Sequence, residues 1–404
     1  MLTRIGTAIK RRIQKYTRLL YRSVQRDPYV FLDDYRLTCL KNGLAMTVVP
    51  KIAFYVSSVS HIDHYKRIWR HLDQDQYVVL VPANLSRPAT RRELPLIFQY
   101  LRQERVPHKT MEAALGAMEQ YPVMLTKHRD LRTEMPGADI AQVYVRYMIH
   151  GVEKYSYRPS QLAFDLFLCQ SDYQVRRVKA ARADARCALM GYPRLDDLFV
   201  DTPIPPEFDG YVRPERKTIL YLPTHGPWSS VKSYLTVVAE LSDVFNVIIK
   251  PHYASFTEHP TLFGALREND YLHIISDSTI NDWAFFKLAD VVLVDCGGSV
   301  FAAIYALKDV VFLRNDASPS PVSEEEERLS REFPTVTSPD AAAMRLVLNS
   351  EALLERHRPA LLKARDEFSS PVCENGGQKA AAILVNELER CLNHEDSMGL
   401  HKTG

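Results

Sequence analysis

Five short stretches of the 404-residue sequence combine residue types that could hold and transfer a phosphate. Asp295-Cys296-Gly297-Gly298-Ser299 follows the apolar run VVLV and precedes the helical pattern VFAAIYAL. Two glycines let the backbone approach an anion, and Ser299 adds a hydroxyl where the free N–H groups of a helix start collect phosphate. A plain strand-to-helix turn capped by Ser299 would be spelled the same way. Lys250-Pro251-His252 closes the run VIIK, and a cation beside an imidazole at a strand end suits holding a phosphate or assisting its departure. His150-Gly151 follows QVYVRYMI, with Lys154 one helical turn later. An imidazole that titrates near neutrality suits a general base, although a packed histidine fits the same text. Thr224-His225-Gly226, after TILYLP, offers a hydroxyl and N–H groups to a nucleotide. Arg194, in Gly191-Tyr192-Pro193-Arg194, stands where it could face a cleft.

Other signals point away from metal and redox chemistry. His61-Ile62-Asp63-His64 has metal-like spacing, but a zinc site needs three or four converging ligands, and nothing nearby completes the set. The cysteines at 39, 169, 187, 296, 373 and 391 form no CxxC pair and read as free thiols. GxSxG, GxxxxGK[ST] and GxGxxG are absent, which argues against hydrolase, P-loop and dinucleotide-oxidoreductase classes. No cofactor motif stands out; a divalent cation on the phosphates stays an open alternative.

These residues need a scaffold, and the alternation along the chain supplies one. Ile52–Ser58, Gln76–Val81, Val123–Thr126, Gln142–Ile149, Leu166–Cys169 and Ala188–Met190 read as short strands between helical stretches. After 201–217, which holds four prolines and reads as a linker, the alternation restarts with Thr218–Leu222, Val247–Lys250, His273–Ile275, Val291–Val294 and Val310–Leu313. Continuous apolar runs of this length suit parallel strands covered on both faces. Ligands of such sheets collect at the carboxyl ends of strands, where all five stretches lie. Ser323 with Glu326 spells a capping box opening a helix. The expected organisation is a basic amphipathic helix (1–27), an N-terminal Rossmann-like acceptor domain (28–200), the linker (201–217), a C-terminal Rossmann-like donor domain (218–392) and a flexible tail (393–404).

Residues 1–26 carry eight basic residues and no acidic one, leaving the remainder net acidic. Leu2, Ile5, Ile9, Ile13, Tyr16 and Leu20 recur on one helical face beside those cations, a pattern that suits an anionic membrane surface. No signal-peptide core or membrane-spanning run is seen. The expectation is a cytoplasmic protein held peripherally at the inner face of the membrane. The slightly acidic body, without an aromatic–basic platform, argues against nucleic acid.

Taken in order, these elements resemble the CDP-glycerol glycerophosphotransferase family, enzymes that prime and polymerise teichoic acids and related capsule backbones, over about residues 140–390. His150-Gly151 with Lys154 is similar to the family's Trp-His-Gly-Thr…Lys segment, and Gly191-Tyr192-Pro193-Arg194-Leu195-Asp196 to its Gly-Tyr/Asn-Pro-Arg-Asn-Asp element. Ile219 to Thr224 resembles Ile-Leu-Tyr-Ala-Pro-Thr, and Lys250-Pro251-His252 resembles Lys-Xaa-His-Pro. Ala289-Asp290 through Asp295 and Ser299 resembles Ala-Asp-…-Thr-Asp-Tyr-Ser-Ser, and Glu374-Asn375-Gly376-Gly377 resembles an Asp-Gly turn before the last helix. Departures are Ile149 for the Trp, His225 for an aromatic residue or Arg, Cys296-Gly297-Gly298 for Tyr-Ser, and Tyr253 for the Pro.

The resemblance implies an α/β GT-B-like fold, two facing Rossmann-like domains with parallel sheets and an interdomain cleft. It implies His150 as general base and His252 on the activated phosphate, with Gly151, Lys154, Arg194, Thr224, Lys250, Asp295, Gly298 and Ser299 binding substrate or nucleotide. It implies transfer of a glycerol-phosphate-like unit from a CDP-activated donor to a hydroxyl of a membrane-associated glycan or polyol phosphate. A GT-B glycosyltransferase using a CMP- or UDP-sugar, and a non-catalytic nucleotide-binding scaffold, are the alternatives.

Overall fold

The computed structural model describes residues 47–82, 88–126, 141–145, 157, 162, 164–201, 203–208, 210–276, 282–314, 323–372 and 374–397. His150, Gly151, Lys154 and the basic N-terminal segment lie outside the described residues. The chain divides into two compact units. One runs to Tyr144 and adds Ala163–Asp165 and the chain from Ala382; the other holds Val145–Leu162 and Leu166–Ala381.

In the first unit, β1 (Thr47–Val48), β2 (Ile52–Tyr55), β3 (Tyr77–Val81), β4 (His108–Thr110), β5 (Glu119–Gln120), β6 (Val123–Thr126) and β7 (Ala141–Val145) follow in turn. The order β4-β3-β2-β6-β7 is parallel throughout, with Ala53 opposite Val78 on one side and Met124 on the other. Period-two alternation sends Ala53 and Tyr55 to one face, against Met111, Ala114 and Tyr121. Phe54 goes to the opposite face, where its ring lies 5.6 Å from Tyr65, 5.7 Å from Trp69 and 5.8 Å from Tyr77. Both faces are thus covered, as parallel sheets require.

The second unit holds β8 (Leu166–Cys169) paired in parallel with β9 (Cys187–Leu189). It continues with β10 (Thr218–Leu222), β11 (Asn246–Ile249), β12 (Leu272–Ile274), β13 (Val291–Val294), β14 (Asp309–Leu313) and β15 (Thr335–Val336). The last six form a parallel sheet in the order β12-β11-β10-β13-β14-β15. Its strands show why unbroken apolar runs are needed. Ile219, Tyr221, Val247, Ile249, Val291 and Leu293 build the core on one face. Their neighbours Leu220, Leu222, Ile248, Val292 and Val294 build the core on the other.

The proline-rich stretch before β10 is anchored to this unit. Phe208 is buried against Phe285, and the Asn246 amide accepts from Arg213 N–H at 3.0 Å while donating to the Arg213 and Arg216 carbonyls at 2.9 Å.

A second anchor joins two motifs that are far apart in sequence. Asp196 lies in the 3-10 turn Pro193–Leu198 and accepts the N–H groups of Gly376 at 2.9 Å and Gly377 at 2.8 Å, at the start of the helix Gly376–Ser397. A carboxylate at a helix N-terminus satisfies orphan donors and opposes the positive end of the dipole. Glycine leaves room at residue 376, where a Cβ would meet Met190 O at 3.0 Å and Pro193 N at 3.1 Å and force the backbone to give by a few tenths of an ångström. Arg194 sits partly buried in the same turn.

Candidate functional site

Order β11-β10-β13 places three carboxyl-end loops side by side, since Tyr221 pairs with Ile249 and Leu222 with Val294. The loops carry Thr224-His225, Lys250-Pro251-His252 and Asp295-Cys296-Gly297. They therefore gather Thr224, Lys250, His252, Asp295, Gly298 and Ser299 at the carboxyl end of one sheet, while Arg194 stands on its own turn.

Asp295 ties these loops together. Its carboxylate accepts Thr224 N–H at 2.9 Å, Ser230 N–H at 2.8 Å, the Ser230 hydroxyl at 2.8 Å and Cys296 N–H at 2.7 Å. Burial pushes its pKa up, and the donated hydrogen bonds pull against that rise. The Ser230 hydroxyl also meets Tyr221 Oη at 2.6 Å, which links the network to the strand below. With both oxygens engaged by backbone and hydroxyl donors, Asp295 shapes the site by holding its loops.

Gly297 turns the chain into the helix Gly298–Tyr305 with φ of 85°, in the left-handed region open to glycine. A Cβ there would lie 3.6 Å from the Thr224 hydroxyl, so the two loops touch at this point. Gly297 itself is the N-cap, and no described side chain caps the helix. The cap role that the sequence left open for Ser299 is not taken up; its hydroxyl donates instead to the Leu222 carbonyl at 3.2 Å. An uncapped helix start presents first-turn N–H groups and the positive dipole end, a ready anion site.

Two buried acids and a thiol limit what can bind there. Glu326, in the helix Glu324–Glu332, follows its capping serine: Ser323 Oγ accepts Glu326 N–H at 3.2 Å. Its carboxylate accepts the Gly297 N–H. Burial raises its pKa to about 7, against hydrogen bonds from Gly297 and Ser323 and with the Asp295 charge adding to the rise. Glu326 is the site residue that the sequence hid, because a capping box explained it fully. Cys296 is buried, and burial, then Asp295 and Glu326, push its pKa up, so it stays a thiol.

On the middle loops, His252 caps the short helix Tyr253–Glu258 by accepting Ala254 N–H on Nδ1 at 3.2 Å. Its ring centre lies 4.0 Å from that of His225, with the planes at 53°. Burial, then His225 and Lys250, press its pKa down to about 3. His252 is thus a neutral imidazole whose ring hydrogen sits on Nε2. Gly226, with φ of 73°, bends the His225 loop so that its N–H reaches Glu258 at 2.9 Å. Among the described residues no group of three or more His, Cys, Asp or Glu side chains is placed to hold a metal ion.

Two units of parallel β/α structure, the second carrying an uncapped helix start among strand-end loops, define an α/β fold of the GT-B type. No family model matches the sequence, and no curated protein matches it. Solved structures do match in fold. The wall teichoic acid polymerase TagF aligns at 12% identity with a TM-score of 0.61, covering 94% of this chain and 98% of that chain. A histidine-to-asparagine TagF variant soaked with CDPG aligns at 14% identity and 0.62, with the same coverage. The S. aureus MnaA–UDP co-structure aligns at 16% identity and 0.51, covering 85% of this chain and 97% of that one.

Proposed function

We propose that this chain is a transferase that moves a glycerol-phosphate-like polyol phosphate from a CDP-activated donor to a hydroxyl of a membrane-associated glycan or polyol phosphate, in the synthesis of a cell-surface polymer. The observation that carries the proposal is that the loops bearing Thr224, His225, Lys250 and His252 lie beside the uncapped start of Gly298–Tyr305 at the carboxyl end of one sheet. Backbone N–H groups, a lysine and a neutral imidazole donor suit a diphosphate, and the fold is shared with a polymerase whose structures include a CDPG soak. In this proposal Gly298 and Ser299 N–H, Lys250 Nζ and His252 Nε2–H offset the diphosphate charge. Thr224 contributes its hydroxyl, and Asp295 keeps the loops in register. His150, with Gly151 and Lys154 beside it, removes the acceptor proton; Arg194 assists donor binding.

The acceptor oxygen attacks the donor's distal phosphorus and CMP leaves. No described helix is long and apolar enough to cross a membrane. Residues 1–26 are proposed to hold the protein on an anionic, inner membrane surface.

The test is product analysis with kinetics. CDP-glycerol or CDP-ribitol should give a phosphodiester-linked product and raise the melting temperature. His150→Ala and His252→Asn should each lower turnover by at least about a hundredfold, the scale of general acid–base and fixed-dipole contributions, without unfolding the protein. A glycosidic product from a CMP- or UDP-sugar, or near-normal turnover in both variants, would refute the proposal.

A further inference from the structure

The two adjoining imidazoles differ in what the fold lets each of them do. His252 Nδ1 already accepts the Ala254 N–H at 3.2 Å, so its hydrogen sits on Nε2. Adding a proton at Nδ1 would set two N–H groups against each other and uncap the helix Tyr253–Glu258. The same ring is screened from water and has a second imidazole and Lys250 beside it, and each of these favours the neutral form. His252 can donate a hydrogen bond through every stage of a reaction, yet it has no proton to give up and regain.

His225 faces it at 4.0 Å from the other loop, partly buried, at the start of the turn Gly226–Trp228. Its side chain makes no cap hydrogen bond. Among the described residues, Lys250 after β11, Glu258 at the end of the short helix and Asp295 after β13 carry charge near the pair. Glu258 accepts the Gly226 N–H at 2.9 Å and Asp295 accepts the Thr224 N–H at 2.9 Å, so backbone donors flank His225 on both sides and engage these carboxylates.

We propose that His225 is the proton-carrying imidazole of this site: it gains a proton as the donor's diphosphate binds and gives it to the departing phosphate, while His252 remains a neutral hydrogen-bond donor. This rests on the phosphotransfer proposed above. The acceptor oxygen bonds to the distal phosphorus as the bond from that phosphorus to the bridging oxygen breaks. The electron pair stays on the bridging oxygen, where the His225 proton neutralises it. The acceptor's own proton goes to the base proposed as His150.

Calorimetric titration with CDP, repeated in two buffers of different ionisation enthalpy, counts the protons taken up on binding. Near pH 7.5, above the phosphate's own ionisation at about 6, wild type should take up at least about half a proton per CDP. His225→Asn should take up less than about a fifth of a proton and bind about tenfold more weakly, the scale of one charge-assisted contact. His225→Gln serves if the asparagine variant does not fold. His252→Asn, which keeps an acceptor for Ala254 N–H, should retain the uptake.

Binding of CDP without proton uptake, or uptake unchanged in His225→Asn, overturns the inference and leaves the phosphotransfer proposal standing. Uptake that depends on His225 with inorganic pyrophosphate, but no binding of CDP, supports the proton role and counts against a nucleotide donor. Binding of neither probe overturns both.

Discussion

Each unit brings two histidines together, and the pairs come to opposite ends. In the first unit, His61 and His64 lie on the helix Val59–Trp69 and are buried, at 4% and 6% exposure. His61 Nδ1 accepts the Ser57 N–H at 3.3 Å and its ring lies 6.2 Å from Tyr65. In the second unit, His225 and His252 stand on neighbouring strand-end loops and are only partly buried. One member of each pair does the same local work: His61 and His252 both accept a backbone N–H through Nδ1. What separates the pairs is the neighbourhood of the second ring. His64 is enclosed in the helix's buried face, whereas His225 adjoins His252 and belongs to the loop that touches an uncapped helix start. Close spacing in sequence therefore gives a packed pair here, and distance in sequence is bridged by a parallel sheet into a pair on strand-end loops.

The strongest way to break this contrast is to untie the loops. Asp295→Ala leaves the N–H groups of Thr224, Ser230 and Cys296 without their buried acceptor and should cost about 4 kcal/mol, several charge-assisted hydrogen bonds' worth. Urea unfolding measures it, and CDP binding should disappear in the same variant. A loss below about 1 kcal/mol would mean that the loops hold their shape without the carboxylate.

The next effect is a pH dependence. Glu326 has its pKa raised by burial from 4.5 to about 7. The folded state therefore keeps a proton that the unfolded chain releases. Stability from this group is full below pH 4.5 and falls as pH rises through 7. Glu326→Gln keeps an acceptor for Gly297 N–H and removes the charge. It should be more stable than wild type by about 3 kcal/mol at pH 8 and equal to it near pH 4.5. Parallel unfolding curves at the two pH values check the sign.

The smallest effect belongs to the first unit. His61→Ala should cost about 1–2 kcal/mol through the orphaned Ser57 N–H and lost packing, with CDP affinity within about twofold. A tenfold loss of CDP affinity would erase the distinction between the pairs.

Much of the sheet was legible because strands covered on both faces must be apolar at every position. Val123–Thr126, Leu166–Cys169, Thr218–Leu222 and Val291–Val294 coincide with strands read from the text alone. Short polar strands escaped notice: β4 (HKT) and β5 (EQ) are pieces of three and two residues that their neighbours make into strands.

Position after a strand was enough to tell from the sequence that Thr224, Lys250, His252 and Gly298 lie at the carboxyl end of the sheet. Partnership was not legible. Asp295 reads as a ligand for substrate because its partners are backbone N–H groups, which leave no mark on a sequence. Glu326 reads as one arm of a capping box because nothing local reveals a bond reaching back to Gly297. His225 looks like a departure from a family pattern, and only the neighbouring strand-end loops set it against His252.

The Asp196 clamp has a consequence for how the molecule is made. The two glycine donors lie 180 and 181 residues downstream of their acceptor. A nascent chain can lay down every strand of the second unit while that carboxylate waits, and the knot is tied only when residue 377 has left the ribosome. Completion of this unit thus waits until the helix Gly376–Ser397 has begun to form, and that helix serves as its latch.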